Sequence, residues 1–243
     1  MTLYRMGRPL PEKGLRLFCL PPAGSGAGIF YPLMELECPE LSICPLSLPG
    51  REGRAHEKIP HSIPELAELL ARDLLPHIRP PYAILGYSMG SLLGYEMIHR
   101  WLEWGLAPPE LFITLAARPP HRSFGERLSD LDQQAFRQAL SQLGGLPKEI
   151  LADEETMSLF EPLLRQDFQN CENYRVQNLK ALPNPISAIV SDEDSLLEIK
   201  DVTAWKDCTS GSFQLTTLRG EPHILPPKIL KDVIQFQIEN TRA

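Results

Sequence analysis

The chain lacks the features that mark membrane-spanning, disulfide-stapled and zinc-binding proteins. No stretch approaches the ~20 consecutive apolar residues of a transmembrane helix, and residues 1–8 are too polar for a secretory signal peptide. The five cysteines are an odd number at scattered spacings, without a Cys-x-x-Cys pair. This pattern disfavours both a disulfide framework and a zinc site. We therefore predict a cytoplasmic protein that has no membrane partner and binds no metal.

Positive charge and phosphate-binding motifs are also scarce. The chain has 31 acidic and 24 basic side chains, and its formal charge of −7 disfavours nucleic acid and anionic membranes as partners. Residues 24–28 read Gly-Ser-Gly-Ala-Gly, but no Walker lysine follows and the Gly-x-Gly-x-x-Gly spacing is missing. There is no internal repeat and no low-complexity linker. With 243 residues, 43% of them apolar, the chain is predicted to form one domain over residues 1–243.

Residues 86–90 read Gly-Tyr-Ser-Met-Gly and lie between a strand pattern and a helix pattern. The apolar run 82–85 precedes them, and the apolar-faced segment 91–102 follows them. In this context, Gly-x-Ser-x-Gly is typical of a nucleophile elbow, because glycines on either side permit a strained turn. We predict that Ser88 is a nucleophile and that the Met89 amide, at a helix N-terminus, binds negative charge. The alternative is a glycine-rich turn with an incidental serine.

Strand and helix patterns alternate along the chain, which is typical of the α/β class. The strand candidates are residues 15–20, 41–48, 82–85, 110–116, 186–190 and 213–218. Strands separated by helices predict a mostly parallel central sheet flanked by helices. Residues 123–180 instead carry three helical patterns and no convincing strand. We interpret this block as a helical lid insertion over Ser88; the alternative is a peripheral helical decoration.

A nucleophilic serine needs a base, and the order of the chain favours His223 among the six histidines. His223 follows the last strand candidate, as the histidine does in strand-to-helix hydrolases of the order Ser, acid, His. The other five are interpreted as surface or capping histidines: His56, His61, His77, His99 and His121. The acid is expected after the strand at 186–190, where Asp192 and Asp194 both stand. We favour Asp194, at the turn apex, over Asp192, and Asp201 is a third candidate.

The oxyanion of an acyl-transfer intermediate needs a second backbone donor beside the Met89 amide. In hydrolases of this type it comes from the loop after an early strand. The corresponding loop here is glycine-rich and begins directly after residues 15–20, so its backbone can approach an intermediate closely. Ala23 is the candidate donor.

Together, these segments resemble a type II thioesterase, the stand-alone editing hydrolase of polyketide and nonribosomal peptide assembly lines. The resemblance extends over nearly the whole chain, and its most specific part is Leu-Pro-Gly-Arg-Glu within residues 46–52. The other matching positions are residues 17–24, Ser88 to Gly90 with Glu96, residues 164–168 with Tyr174, and Asp194, Trp205, Gly220 and His223.

This resemblance implies an α/β-hydrolase fold and a Ser-His-Asp triad. Ser88 would be the nucleophile, His223 the base and Asp194 the orienting acid, with the Ala23 and Met89 amides as the oxyanion hole. The partners would be acyl or peptidyl carrier domains of a polyketide or nonribosomal peptide synthase. The substrate would bring its own phosphopantetheine, so no cofactor is expected. The sequence leaves the oligomeric state open, and a monomer is the default expectation.

The chain departs from the family pattern at four positions near the site. Pro22 and Tyr87 stand where histidine is usual, and Ser25 and Ser191 stand where glycine is usual. None of these changes removes a catalytic group, because the oxyanion loop acts through its backbone. They do alter the shape and polarity of the floor of the site.

Two other functions are compatible with the same motifs. A carboxylesterase or lipase acting on free oxygen esters would use the same triad, and a non-catalytic protein that docks on a synthase would not need it. For docking on an acidic carrier domain, Arg51, Arg54 and Lys58 form a basic cluster in the sequence. The alternative is that these residues lie on a solvated loop.

Overall fold

Six parallel strands form the central sheet, in the order β2-β1-β3-β4-β5-β6. The computed structural model describes residues 10–125, 127–144 and 148–242, so the polar segment 1–8 lies outside the described residues. The strands are β1 (Leu15–Leu20), β2 (Leu41–Pro45), β3 (Tyr82–Tyr87), β4 (Leu111–Leu115), β5 (Ile186–Ser191) and β6 (Phe213–Leu218). The predicted parallel sheet is confirmed, and the carboxyl ends of all six strands meet at one edge.

Burial explains why these segments are strands with almost continuous apolar sequence. Strands β2 to β5 are buried at every position, which is the pattern of a parallel sheet covered on both faces. The edge strand β6 is only partly buried and carries polar residues. The strand predicted over residues 41–48 is shorter, because it ends at Pro45; the Leu46 amide still donates to the Cys19 carbonyl at 2.9 Å.

Helices flank the sheet, as the sequence predicts. They are α1 (Ile63–Leu74), α2 (Met89–Glu103), α3 (Gln133–Leu143), α4 (Lys148–Ala152), α5 (Glu154–Asn173), α6 (Ile199–Thr203) and α7 (Pro227–Arg242). The hydroxyl of Ser62 accepts from the Glu65 amide at 3.3 Å and begins α1. A 3₁₀ helix that no sequence pattern predicts lies at Ala27–Leu36, and α7 packs against it. No helix in the described ranges is long and apolar enough to cross a bilayer.

A helical insertion separates β4 from β5 and contains α3, α4 and α5. Two carboxylates cap its longer helices: Asp132 accepts from the Ala135 amide at 2.8 Å, and Asp153 from the Thr156 amide at 3.1 Å. The insertion has an apolar cluster of its own, made of Leu128, Phe136, Leu140, Leu143, Leu151, Met157, Leu164 and Phe168. Within its described part it contains three helices and no strand of the sheet, as the sequence pattern predicts.

Two glycines let α2 lie directly against the sheet. A Cβ atom on Gly90 would stand 2.1 Å from the carbonyl oxygen of Leu20 in β1, and one on Gly94 would stand 2.7 Å from the Phe112 ring. Both distances are far below van der Waals contact. Any side chain at these positions therefore pushes α2 away from the sheet.

We expect Gly90→Ala to lower the free energy of unfolding by about 1–3 kcal/mol, since the neighbour of the new methyl group is backbone that cannot rotate away. Gly53→Ala is the matched control, because a Cβ atom there meets nothing within 4 Å, and it should stay within about 0.5 kcal/mol of wild type. Chemical denaturation measures both. Equal stability of the two variants would show that α2 packs less closely than described.

Candidate active site

Ser88 occupies a strained turn between β3 and α2. Its φ of 51° and ψ of −114° are unusual for a residue with a side chain, and its amide donates to the Leu115 carbonyl at 2.7 Å. A Cβ atom on Gly86 would lie 2.4 Å from the Cα atom of Ser91, so glycine is needed for the chain to turn back so closely. The predicted strand, turn and helix around Ser88 are present.

His223 lies between Ser88 and Asp194 and contacts both. Its Nε2 atom is 3.0 Å from the Ser88 hydroxyl oxygen, and its Nδ1 atom is 2.8 Å from Oδ2 of Asp194. The imidazole and the carboxylate are both buried. A carboxylate can only accept, so Nδ1 carries the proton of the neutral ring and Nε2 presents its lone pair to the serine hydroxyl. This arrangement can withdraw a proton from Ser88.

The three acidic candidates have different partners. Asp194 contacts the imidazole, and its other oxygen accepts from the Leu196 amide at 2.9 Å. Asp192 instead accepts from the Gly220 amide at 2.8 Å, and Asp201 pairs with Arg118 at 3.3 Å. Of the alternatives that the sequence left open, the structure places Asp194 against His223.

The two amides predicted to bind the oxyanion flank Ser88. Met89 is the first residue of α2, so its N–H has no acceptor within the helix. Ala23 lies in the loop after β1 and lines the same cavity as Ser88. The loop is fixed on both sides of Ala23, because the Ser25 amide donates to the Pro22 carbonyl at 3.1 Å and the Gly24 amide donates to Asp167 at 2.8 Å.

A buried ion pair, which the sequence did not reveal, holds this loop in place. Arg51 donates to both carboxylate oxygens of Asp167, at 2.7 and 3.0 Å, and also to the Ser25 carbonyl at 3.0 Å. The side chain of Asp167 is 0% exposed and that of Arg51 is 6% exposed. The pair thus connects α5, the oxyanion loop and the segment after β2.

The basic docking cluster predicted from the sequence is wrong for two of its three members. Arg51 is buried against Asp167, and Arg54 is buried against Glu57 at 2.6 Å and Asp73 at 3.1 Å. Their charges are therefore neutralised inside the protein, and only Lys58 is exposed. Neighbouring basic residues in a sequence do not make a basic surface when the fold supplies each one with a carboxylate.

A cavity of about 610 Å³ opens above Ser88 and His223. The loop after β1 forms one side and the start of α7 another. The helical insertion closes it with apolar side chains from α3, α4 and α5: Leu140, Leu143, Ile150, Met157, Phe160, Leu164 and Phe168. Ser88 therefore faces a mostly apolar chamber that can hold a nonpolar chain.

A family model described as a thioesterase domain matches residues 15–234, which include every residue of this site. The chain belongs to the thioesterase family. This thioesterase is 31% identical to the gramicidin S biosynthesis protein GrsT of Aneurinibacillus migulanus, with 94% of this chain and 89% of the relative covered. It is also 31% identical to the thioesterase PikA5 of Streptomyces venezuelae, with 89% and 77% covered.

Solved structures agree with this assignment. The type II thioesterase BorB from the borrelidin biosynthetic cluster superposes with a TM-score of 0.87 at 28% identity, and the match covers 99% of this chain and 97% of that one. The resemblance to type II thioesterases and the α/β-hydrolase fold are thus confirmed. The protein is a hydrolase that acts on thioesters.

We expect Asp167→Ala to lower the free energy of unfolding by about 3–5 kcal/mol, because it leaves the Arg51 guanidinium buried without its partner. The double variant Arg51→Met, Asp167→Leu removes both charges and should recover much of that loss. Lys200→Ala is the control, since Lys200 and its partner Glu198 are 73% and 67% exposed, and its denaturation midpoint should not move. A double variant no more stable than Asp167→Ala would contradict this account.

Proposed function

We propose that this thioesterase removes acyl groups from the phosphopantetheine arms of acyl or peptidyl carrier domains, clearing stalled or mis-primed polyketide or nonribosomal peptide synthases. The observation that carries the proposal is the hydrogen-bonded series Ser88, His223 and Asp194 at the floor of an apolar cavity. The names of its relatives, among them a gramicidin S biosynthesis protein and a borrelidin-cluster thioesterase, support the pathway.

In the proposed acylation step, Nε2 of His223 takes the hydroxyl proton as Ser88 Oγ attacks the thioester carbonyl carbon. The Asp194 carboxylate stabilises the imidazolium that forms. When the tetrahedral intermediate collapses, the carbon–sulfur bond breaks and His223 returns the proton to the departing sulfur. The carrier leaves with a free thiol, and the acyl group remains as an ester on Ser88.

The negative charge of the tetrahedral intermediate would be held by the Met89 and Ala23 amides, each contributing about 3–4 kcal/mol. Deacylation repeats the sequence with water: His223 accepts a proton from the water as its oxygen attacks the ester, and returns it to Ser88 Oγ. The products are a carboxylic acid and the free enzyme. The phosphopantetheine arrives with the substrate, so the reaction requires no cofactor of the enzyme.

The acyl chain would lie in the cavity against α3 and α5. The helical insertion supplies much of the apolar wall, and burying a chain there releases about 0.8 kcal/mol per methylene group. We propose that the insertion is a lid whose inner face selects acyl chains, while the sheet edge beneath it carries out the reaction.

We expect Ser88→Ala to lower the rate of thioester hydrolysis by about a thousandfold or more, and Asp194→Asn by about 10³–10⁴-fold, because the amide favours the wrong histidine tautomer. Asp192→Asn is the matched control: it keeps a carbonyl oxygen for the Gly220 amide and should retain most of the rate. Circular dichroism verifies folding. Retention of a tenth of the wild-type rate by Ser88→Ala would rule out Ser88 as the nucleophile.

Substrate choice is tested by single-turnover hydrolysis of acetyl- and longer acyl-carrier protein beside the matched acyl-CoA and a simple oxygen ester. We expect the carrier-bound thioester to react fastest. Faster turnover of the oxygen ester would instead assign the same triad to a carboxylesterase. A protein that turns over none of them and whose Ser88 does not react with a fluorophosphonate would be a non-catalytic docking protein.

A further inference from the structure

Tyr87, the residue before the nucleophile, reaches across the sheet edge to the loop that carries His223. Its hydroxyl donates to the His223 carbonyl at 2.9 Å and accepts from the Leu225 amide at 2.5 Å. The side chain is fully buried, so it acts from inside the protein. Ile224 directly follows His223, the proposed base, and one hydroxyl group therefore holds the backbone on both sides of Ile224.

The start of the same loop is held from the end of β5. The Ser191 hydroxyl accepts from the Glu221 amide at 3.0 Å, and Asp192 accepts from the Gly220 amide at 2.8 Å. Tyr87 and Ser191 are two of the four positions at which this chain departs from the family pattern. Both departures thus contact the backbone of one loop.

A further restraint on the segment after His223 comes from the helical insertion. The Ile224 amide donates to the carbonyl of Leu143, the last residue of α3, at 3.1 Å. Without the Tyr87 hydroxyl, this segment loses two backbone hydrogen bonds and keeps the one from Ile224 to α3. The imidazole would then depend more on its own bonds to Asp194 and Ser88, and a displacement near 1 Å at a reacting group costs roughly a hundredfold in rate.

We propose that Tyr87 is a positioning residue for the base: its hydroxyl, with Ser191 at the other end of the loop, keeps Nε2 of His223 at hydrogen-bond distance from Ser88. The inference rests on the proposed roles of Ser88 and His223. Burial raises the pKa of Tyr87 well above its ordinary value, so the hydroxyl keeps the proton that it donates to the His223 carbonyl.

The test is the rate at which a fluorophosphonate labels Ser88. In this reaction Ser88 Oγ bonds to phosphorus, fluoride leaves, and His223 takes the serine proton, so the rate reports on the base and needs no thioester. We expect Tyr87→Phe to label roughly tenfold more slowly or worse. In steady-state hydrolysis of a thioester, the kcat of Tyr87→Phe should fall by a similar factor. Its KM should change little, because Tyr87 does not line the cavity.

Tyr82→Phe is the matched control, because Tyr82 is at the other end of β3, is equally buried, and donates its hydroxyl to the Ala107 carbonyl at 2.7 Å. It should label at the wild-type rate. If Tyr87→Phe does not fold, Ser191→Ala decides the question in the same assay. Slower labelling of that variant supports the proposal, and labelling at the wild-type rate overturns it.

A double variant separates positioning from a general structural effect. In a His223→Ala background, Tyr87→Phe should slow the residual labelling no further, because the hydroxyl acts through His223. Two results would overturn the proposal. One is labelling of Tyr87→Phe at the wild-type rate. The other is that Tyr87→Phe slows labelling by the same factor in the His223→Ala background as it does in the wild-type protein. Since labelling requires no thioester substrate, a protein that failed to hydrolyse carrier thioesters would refute the proposed function without affecting this result.

Discussion

The site depends on the parallel direction of the strands, which brings their carboxyl ends to one edge of the sheet. Ser88 follows β3, Asp194 follows β5 and His223 lies in the loop after β6, so residues that are 135 and 29 positions apart in the chain come within hydrogen-bond distance. An antiparallel neighbour would deliver its loop to the opposite edge. The sheet therefore determines which loops can contribute catalytic groups, before any side chain is chosen.

Buried polar groups then fix those loops. Asp167 is inaccessible to solvent, and its charge is matched by Arg51 and by the Gly24 amide. Such a carboxylate is costly unless every acceptor position is used, which holds α5 and the oxyanion loop at one separation. Tyr87 similarly satisfies two backbone groups of the His223 loop with one hydroxyl. In both cases, leaving a buried polar group unpaired would cost free energy, and this cost fixes the position of a loop at the proposed active site.

The sequence alone predicted those structural features that depend on residues close together in the chain. The elbow at Ser88 and the strand bounds of β1 and β6 follow from residues within a few positions of each other. It did not predict contacts between residues that lie far apart in the chain. In the sequence, Arg51 and Arg54 suggest a basic surface. The partner of Arg51, however, is Asp167, which lies 116 residues away, and no repeating pattern in the sequence predicts a contact over that distance. Asp194, which the sequence favours over Asp192 as the acid, lies against His223, since a turn apex can face back across the strand ends.

The proposed reaction and the proposed choice of acyl chain depend on separate parts of the chain. The proposed acid–base chemistry uses residues at the sheet edge, and it would cleave an oxygen ester as well as a thioester. About half of the apolar residues that line the cavity come instead from the helical insertion, whose helices pack on one another through their own cluster. Substitutions among those wall residues can reshape the chamber while leaving the strand ends in place. Acyl preference can consequently diverge within this fold without altering the distances among Ser88, His223 and Asp194.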